Sequence, residues 1–159
     1  MAVFTSIYDT ALWRAVQPAL AGLAQTALRL ALAIPFFKSG LTKWDGFFML
    51  SDSAESLFSD EFKLHLFGME FPYPAPHAMA FASGCMEILL PILLVLGLGT
   101  RLAALGLLGM TAIIQITVPD GWANFHLIWA ACALAILAHG PGPLSLDRLI
   151  GSRLSQKQG

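Results

Sequence analysis

Four apolar runs dominate the sequence, and each is about as long as a helix that crosses a lipid bilayer. They occupy approximately residues 19–38, 77–98, 102–118 and 122–139, and a spanning helix needs about 20 mostly apolar residues to cross about 30 Å of hydrocarbon. Only 12% of the 159 residues are charged and the mean hydropathy is +0.70, whereas about a quarter of the residues in a soluble domain are charged. The sequence therefore predicts an all-α fold: one membrane domain over residues 1–159, built as a four-helix transmembrane bundle.

The connections between these runs differ in length and character. Residues 97–100, GLGT, and residues 119–121, PDG, read as tight turns that make the last three helices two antiparallel hairpins. The first connection is much longer, and within it Asp52 and Glu55 resemble the capping box of a short amphipathic helix. The N-terminal segment carries a comparable apolar stripe, which consists of Phe4, Ile7, Tyr8, Ala11 and Leu12. We expect both to be short interfacial helices at the membrane surface.

The distribution of basic residues predicts the orientation of the helices. With both termini in the cytoplasm, the cytoplasmic segments carry five basic residues and the opposite segments carry three, a modest bias of the positive-inside kind. The five are Arg14, Arg101, Arg148, Arg153 and Lys157, and the three are Lys38, Lys43 and Lys63. We therefore expect a multi-pass protein of a bacterial inner membrane with both termini in the cytoplasm.

Each predicted span contains a polar side chain where hydrocarbon would surround it, and these are Arg29, Glu87, Gln115 and His126. A charge inside a membrane costs free energy, so such residues usually face the bundle interior and find partners. Arg29 and Glu87 are each eleven residues from the predicted cytoplasmic end of their span, which places both about 16 Å above it, near the midplane. Gln115 and His126 should lie slightly higher. We expect an Arg29–Glu87 ion pair within a polar layer that marks a ligand-binding or proton-relay site.

Two purely structural interpretations stay open. A buried Arg29–Glu87 pair can fix which helices pack together without any further role, and His126 can be a hydrogen-bonded core histidine. The sequence has no zinc or nucleotide motif, so no metal site is expected. A haem held by His126 and another histidine such as His77 is not expected either. A net charge of −1 without a basic, aromatic cluster excludes a nucleic-acid partner.

Several stretches resemble the DoxX family of small integral membrane proteins. In the first span, an arginine is followed by a G-x-x-K pattern within residues 28–44, LRLALAIPFFKSGLTKW. The second and third spans of the family are similar to residues 82–108, ASGCMEILLPILLVLGLGTRLAALGLL. HGPGPLSLDRLI, residues 139–150, resembles its C-terminal ending. The positions that match the characteristic family residues are Arg29, Gly40, Lys43, Glu87 and Arg101. The resemblance implies a four-helix membrane bundle, and the chain departs from the commonest pattern in the long insertion between Trp44 and Pro76 and in Pro91.

The resemblance also implies a function: a membrane subunit or partner of a quinone- or sulfur-linked oxidoreductase or detoxification system, of the thiosulfate:quinone type if it is an enzyme. The cofactor would then be a quinone, and the partners would be the lipid bilayer, a soluble or membrane redox protein and further copies of the chain. Arg29, oriented by Glu87, would bind an anionic or carbonyl oxygen, while Gln115 and His126 would contact the ligand's head group.

The remaining candidate residues lie near the predicted outer boundary. Lys38 and Lys43 would draw an anion to the outer mouth of the site. The same polar layer suits two other functions. One is a small-solute carrier or binding protein, and the other is a membrane anchor or assembly factor without chemistry of its own.

Overall fold

A computed structural model describes residues 11–156 of the chain, with side chains described from Trp13 onward. The interfacial helix predicted from Phe4 to Leu12 therefore falls outside the side chains described. In chain order the elements are α1 (Ala11–Leu41), β1 (Trp44–Gly46), β2 (Met49–Leu50), α2 (Asp52–Ser56), β3 (Lys63–Leu66), β4 (Met69–Pro72), α3 (Pro76–Leu96), α4 (Thr100–Thr117), α5 (Leu127–His139) and α6 (Leu146–Gln156). A short helical turn, Leu57–Glu61, follows α2, and two more, Pro119–Gly121 and Trp122–His126, lead into α5.

Four helical segments within the described residues are long and apolar enough to cross a membrane. They are Trp13–Leu41, Pro76–Leu96, Thr100–Thr117 and Pro119–His139. α1 packs against α3 and α5, and α4 packs against the same two helices, so the four close into a ring. Leu32, Leu94, Leu107 and Ile136, one from each helix, are fully buried at its centre. The predicted all-α four-helix bundle is confirmed.

α1 is longer than the predicted run of residues 19–38 and includes both Pro18 and Pro35. Its 31 residues span about 46 Å, whereas the 18 residues of α4 span about 27 Å. We call the end of the bundle that carries the α3–α4 turn, residues 97–99, the turn end. α1 is displaced toward this end, because Gly40, next to its last residue, lies against Glu87 in the middle of α3.

Residues 42–75 form a small module at the other end of the bundle, which we call the module end. The short helix predicted there is confirmed as α2, which continues directly into the helical turn Leu57–Glu61. Its N-cap is Ser51 and not Asp52, because the Ser51 Oγ accepts a hydrogen bond from the Ala54 N–H at 3.2 Å. Phe58 and Tyr73 pack with Ala80 of α3, which fixes the module to the bundle.

The module also contains two antiparallel hairpins, β1–β2 and β3–β4, that the sequence did not predict. The β3–β4 turn consists of Phe67 and Gly68, which both have positive φ angles, 54° and 77°. A two-residue turn of this kind usually contains Asn-Gly or Asp-Gly. With phenylalanine in the first position, the strongest local signal for the hairpin was missing.

Candidate functional site

α1 and α3 lie close together at Gly40, and this contact brings two charged side chains together. A Cβ on Gly40 would lie 2.9 Å from the Cβ of Glu87, so only glycine allows this spacing without a shift. Lys43 follows two residues after the end of α1, and its Nζ lies 2.8 Å from Glu87 Oε2. The G-x-x-K pattern of the first span and the glutamate of the second therefore form one unit.

In the Lys43–Glu87 pair Glu87 is buried and Lys43 partly buried, and each makes a further hydrogen bond. The Lys43 side chain is 13% exposed and that of Glu87 is 5% exposed. The Ser83 hydroxyl donates to Glu87 Oε1 at 2.7 Å, and Lys43 Nζ donates to the Ser39 hydroxyl at 3.3 Å. A buried ion pair is tolerated when further hydrogen bonds satisfy its remaining groups. The pair thus has almost no net charge. Lys43 still has one ammonium N–H that is directed to neither Glu87 nor Ser39.

A cavity of about 330 Å³ lies beside this pair, between α1, α3, α4, α5 and the module. Its walls are mostly apolar, and Lys43 and Glu87 are the charged residues that line it. The residues lining it are Ser39, Lys43, Phe58, Phe62, Tyr73, Met79, Ala82, Ser83, Met86, Glu87, Met110, Ile113, Ile114, Thr117, Val118 and Trp129. Binding pockets typically combine an apolar lining with a few polar groups that fix ligand orientation.

The module covers the cavity at the module end, whereas the wall between α3 and α4 faces the bilayer. The Tyr73 hydroxyl and the Thr117 hydroxyl are 2.6 Å apart, which ties the module to the end of α4. Phe58 and Phe62 lie over the cavity. Met86 of α3 and Ile113 of α4 line the cavity and are 47% and 44% exposed. A ligand dissolved in the membrane could therefore enter between α3 and α4.

Gln115 and His126, which the sequence places at a similar depth, are in contact. Gln115 Nε2 donates to the carbonyl oxygen of Pro119 at 3.1 Å, so the amide oxygen is left to accept from His126 Nδ1 at 2.7 Å. The His126 ring lies against Gly121 and within 5.4 Å of the Trp129 ring, measured between centroids. Trp129 lines the cavity and His126 does not, so the histidine supports the cavity wall through Trp129.

Arg29 is not paired with Glu87, so the predicted ion pair and the predicted common level of these two residues are wrong. The buried Arg29 guanidinium donates instead to backbone carbonyls: Val95 O at 3.3 Å and Leu94 O at 3.5 Å in the last turn of α3, and Leu144 O after α5. Gly40, which marks the level of Glu87, is eleven residues farther along α1, or about 16 Å. The prediction failed because it measured depth from Pro18, although α1 begins earlier and is displaced toward the turn end.

A second polar cluster surrounds Arg29 at the turn end and contains Asp147, which the sequence reasoning did not single out. The Asp147 carboxylate accepts from Gly99 N at 2.7 Å, Thr100 N at 2.9 Å and Thr100 Oγ1 at 2.8 Å, so it caps the start of α4 from another helix. Burial alone would raise the pKa of Asp147, but the hydrogen bonds from Thr100 and Gly99 and the charge of Arg29 outweigh it and lower the pKa. In the sequence, Asp147 resembles an ordinary first-turn residue of its own helix.

Of the other two predicted positions, Lys38 lies apart from both clusters, whereas Arg101 lines a surface pocket together with Thr100 and Asp147 of the second cluster. Lys38 is exposed on α1 and does not line the cavity, and Arg101 is exposed beside Gly140 at the turn end.

Across residues 11–156, no three His, Cys, Asp or Glu side chains are grouped closely enough to hold a metal ion.

Comparison with known proteins gives a family match and one similar bacterial protein. The model of the family described as DoxX matches residues 24–120, which include Gly40, Lys43 and Glu87. A protein of Haemophilus influenzae described as uncharacterized is 31% identical over 140 residues, which cover 81% of this chain and 84% of that protein. No solved structure matches the chain.

Proposed function

Because this chain belongs to the DoxX family, we propose that it is the membrane subunit or membrane partner of a quinone-linked oxidoreductase system and that its cavity binds the quinone. The observation that carries the proposal is the position of the Lys43–Glu87 pair in the wall of an otherwise apolar cavity. The quinone would supply the redox chemistry, and the residues of this chain would bind and orient it.

The charge of the site favours an uncharged ligand over a sulfur oxyanion. Lys43 is already neutralised by Glu87 at 2.8 Å, so an oxyanion would have to displace a buried carboxylate. A carbonyl oxygen needs only the ammonium N–H that is directed to neither Glu87 nor Ser39. Glu87 would then act as the positioning residue, because it fixes the direction in which Lys43 donates.

The surroundings of the pair suit the rest of a quinone. Its ring would meet aromatic and thioether side chains, those of Phe58, Phe62, Met110 and Trp129, and its isoprenoid tail would leave between Met86 and Ile113 toward the bilayer. Long apolar ligands reach such a site through the membrane, where they are concentrated. A polar solute would have to pass the module, which is why this geometry favours the quinone over the small-solute carrier.

A binding measurement on the full chain in nanodiscs tests the proposal. A short-chain ubiquinone should quench the tryptophan fluorescence saturably, since Trp129 lines the cavity. Lys43→Met should raise the Kd of the protein that remains folded about ten-fold, which corresponds to one charge-assisted hydrogen bond of about 1.4 kcal/mol. Lys38→Met is the matched control, because it removes an exposed lysine five residues earlier, and it should leave the Kd unchanged. Non-saturable quenching in the wild type, or equal Kd values in the two variants, would contradict the proposal.

The partnership with a redox protein needs a separate test. Electrons for the quinone must come from another protein, so we expect a soluble or membrane oxidoreductase to co-purify with the chain after mild solubilisation. Isolation of a quinone-containing bundle with no such protein under several detergents would argue against the subunit role while leaving the binding site intact.

The proposed location is a bacterial inner membrane with both termini in the cytoplasm, as the basic residues predict. Fusion of a fluorescent protein that folds only in the cytoplasm to each terminus checks this topology. Fluorescence should appear with either fusion, and its loss with one of them would require an odd number of spans.

A further inference from the structure

The C-terminal helix α6 does not pack along any other described helix, and none of its residues is buried. Its apolar side chains Leu146, Leu149, Ile150 and Leu154 are all exposed, by between 37% and 59%. At about 100° per residue they fall within an arc of about 140° on one side of the helix. α6 is therefore an amphipathic helix whose apolar side is not covered by any part of the chain that the structure describes.

The first turn of α6 is held at the turn end of the bundle. The Asp147 N–H donates to Gly97 O at 2.9 Å, and the Asp147 carboxylate accepts from Gly99 and Thr100. Since α3 and α4 are long and apolar enough to cross the membrane, the turn between them lies at a membrane face. α6 begins at that face, and its 11 residues, about 16 Å in length, can lie along it.

The charges of α6 identify the kind of surface that it fits. Its one acidic residue, Asp147, is engaged in capping α4, and its other charged residues are Arg148 and Arg153. Arg148 lies opposite the apolar arc. Arg153 lies within the arc in the last turn, where its aliphatic stem can follow the apolar surface while the guanidinium reaches outward. Basic residues of this kind are attracted to anionic headgroups beside a membrane.

We propose that α6 is an in-plane anchor that binds anionic phospholipids at the turn end, with its leucine and isoleucine side chains in the acyl region and its arginines at the phosphates. The proposal does not depend on the quinone site, which lies toward the other end of the bundle. Two independent observations support it: an uncovered apolar stripe, and a backbone attachment that holds this stripe at the level of the membrane face.

Spin labels on the reconstituted full chain test the depth of α6. The labels are placed at Ile150→Cys, on the apolar arc, and at Ser152→Cys, about 160° away, after Cys85→Ala and Cys132→Ala have removed the native thiols. In vesicles of phosphatidylcholine and phosphatidylglycerol, the label at 150 should be several-fold more accessible to oxygen than to a water-soluble nickel chelate, and the label at 152 should show the reverse. Equal water accessibility at both positions would overturn the proposal. So would strong dipolar coupling between labels at 150 on two chains, because a second copy would then cover the helix.

Hydrogen exchange tests the role of the charges without changing any cysteine. In wild-type nanodiscs the amides of residues 146–156 should exchange several-fold more slowly when phosphatidylglycerol replaces part of the phosphatidylcholine. In the Arg148→Gln/Arg153→Gln variant this difference should disappear. Protection that is the same in both lipids for the wild type would rule out anionic headgroups as the ligand.

Discussion

Lys43 and Glu87 form a direct ion pair, with 2.8 Å between Nζ and Oε2, although 44 residues separate them in the chain. Removing one member leaves a buried charge without its partner, which costs about 3–5 kcal/mol, whereas replacing both by apolar residues can be nearly neutral. We therefore expect Glu87→Leu alone to lower the free energy of unfolding strongly and Lys43→Leu/Glu87→Leu to recover most of the loss. Denaturation by sodium dodecyl sulfate, followed by circular dichroism, measures both. A double variant as unstable as Glu87→Leu would contradict the direct pairing.

The contact of Gly40 with Glu87 gives a second prediction. Gly40→Ala places a methyl group 2.9 Å from the Glu87 Cβ, and overpacking of this kind costs about 1–3 kcal/mol. Gly109→Ala in α4 is the matched control, since a Cβ there meets no atom within 4 Å and alanine favours a helix by up to about 1 kcal/mol. The unfolding midpoint should fall for the first variant and stay the same or rise for the second. Equal shifts would show that the α1–α3 spacing is not set at Gly40.

The sequence alone was sufficient for the bundle but not for the register of its helices. Apolar run length predicted the four spans because hydrocarbon thickness sets that length. Run length could not predict that α1 is displaced toward the turn end, because it contains no information about where along its length a helix contacts its neighbour. That displacement determines the partners of the two charged residues. Glu87 pairs with Lys43, which the sequence placed at the outer mouth, and Arg29 donates hydrogen bonds to the last turn of α3. The similar depth of His126 and Gln115 was predictable, because the tight turn between their helices fixes how far each residue lies from it.

The carboxylate of Asp147 should make the turn end sensitive to acid. Hydrogen bonds from Thr100 and Gly99 lower the pKa of Asp147 below the usual value of about 3.9, in spite of its partial burial. Because the pKa is lower in the folded state, the carboxylate contributes stability above that usual value, and this contribution is lost as the pH falls through the folded-state pKa. Asp147→Asn should therefore cost about 0.5–2 kcal/mol at pH 7, typical of a lost helix cap.

The matched control for this variant is Asp120→Asn, in the exposed Pro119–Gly121 turn. Unfolding of the wild type and both variants is compared between pH 7 and pH 3. The difference between wild type and Asp147→Asn should shrink as the pH falls below about 4, and the Asp120→Asn difference should stay small throughout. A difference for Asp147→Asn that does not change with pH would mean that its ionised form is not what holds α4.

Arg29 is expected to matter for folding and not for ligand binding. Arg29 is 2% exposed, and its guanidinium donates to the carbonyls of Leu94, Val95 and Leu144. In Arg29→Leu each buried carbonyl that is left without a donor costs about 1–3 kcal/mol, so the unfolding midpoint should fall sharply. The control is Arg101→Leu, which replaces an exposed arginine at the same end and should have little effect. The quinone Kd of the Arg29→Leu protein that remains folded should equal that of the wild type, because the level of Glu87 is about 16 Å away. A change in Kd at unchanged stability would instead place Arg29 at the ligand.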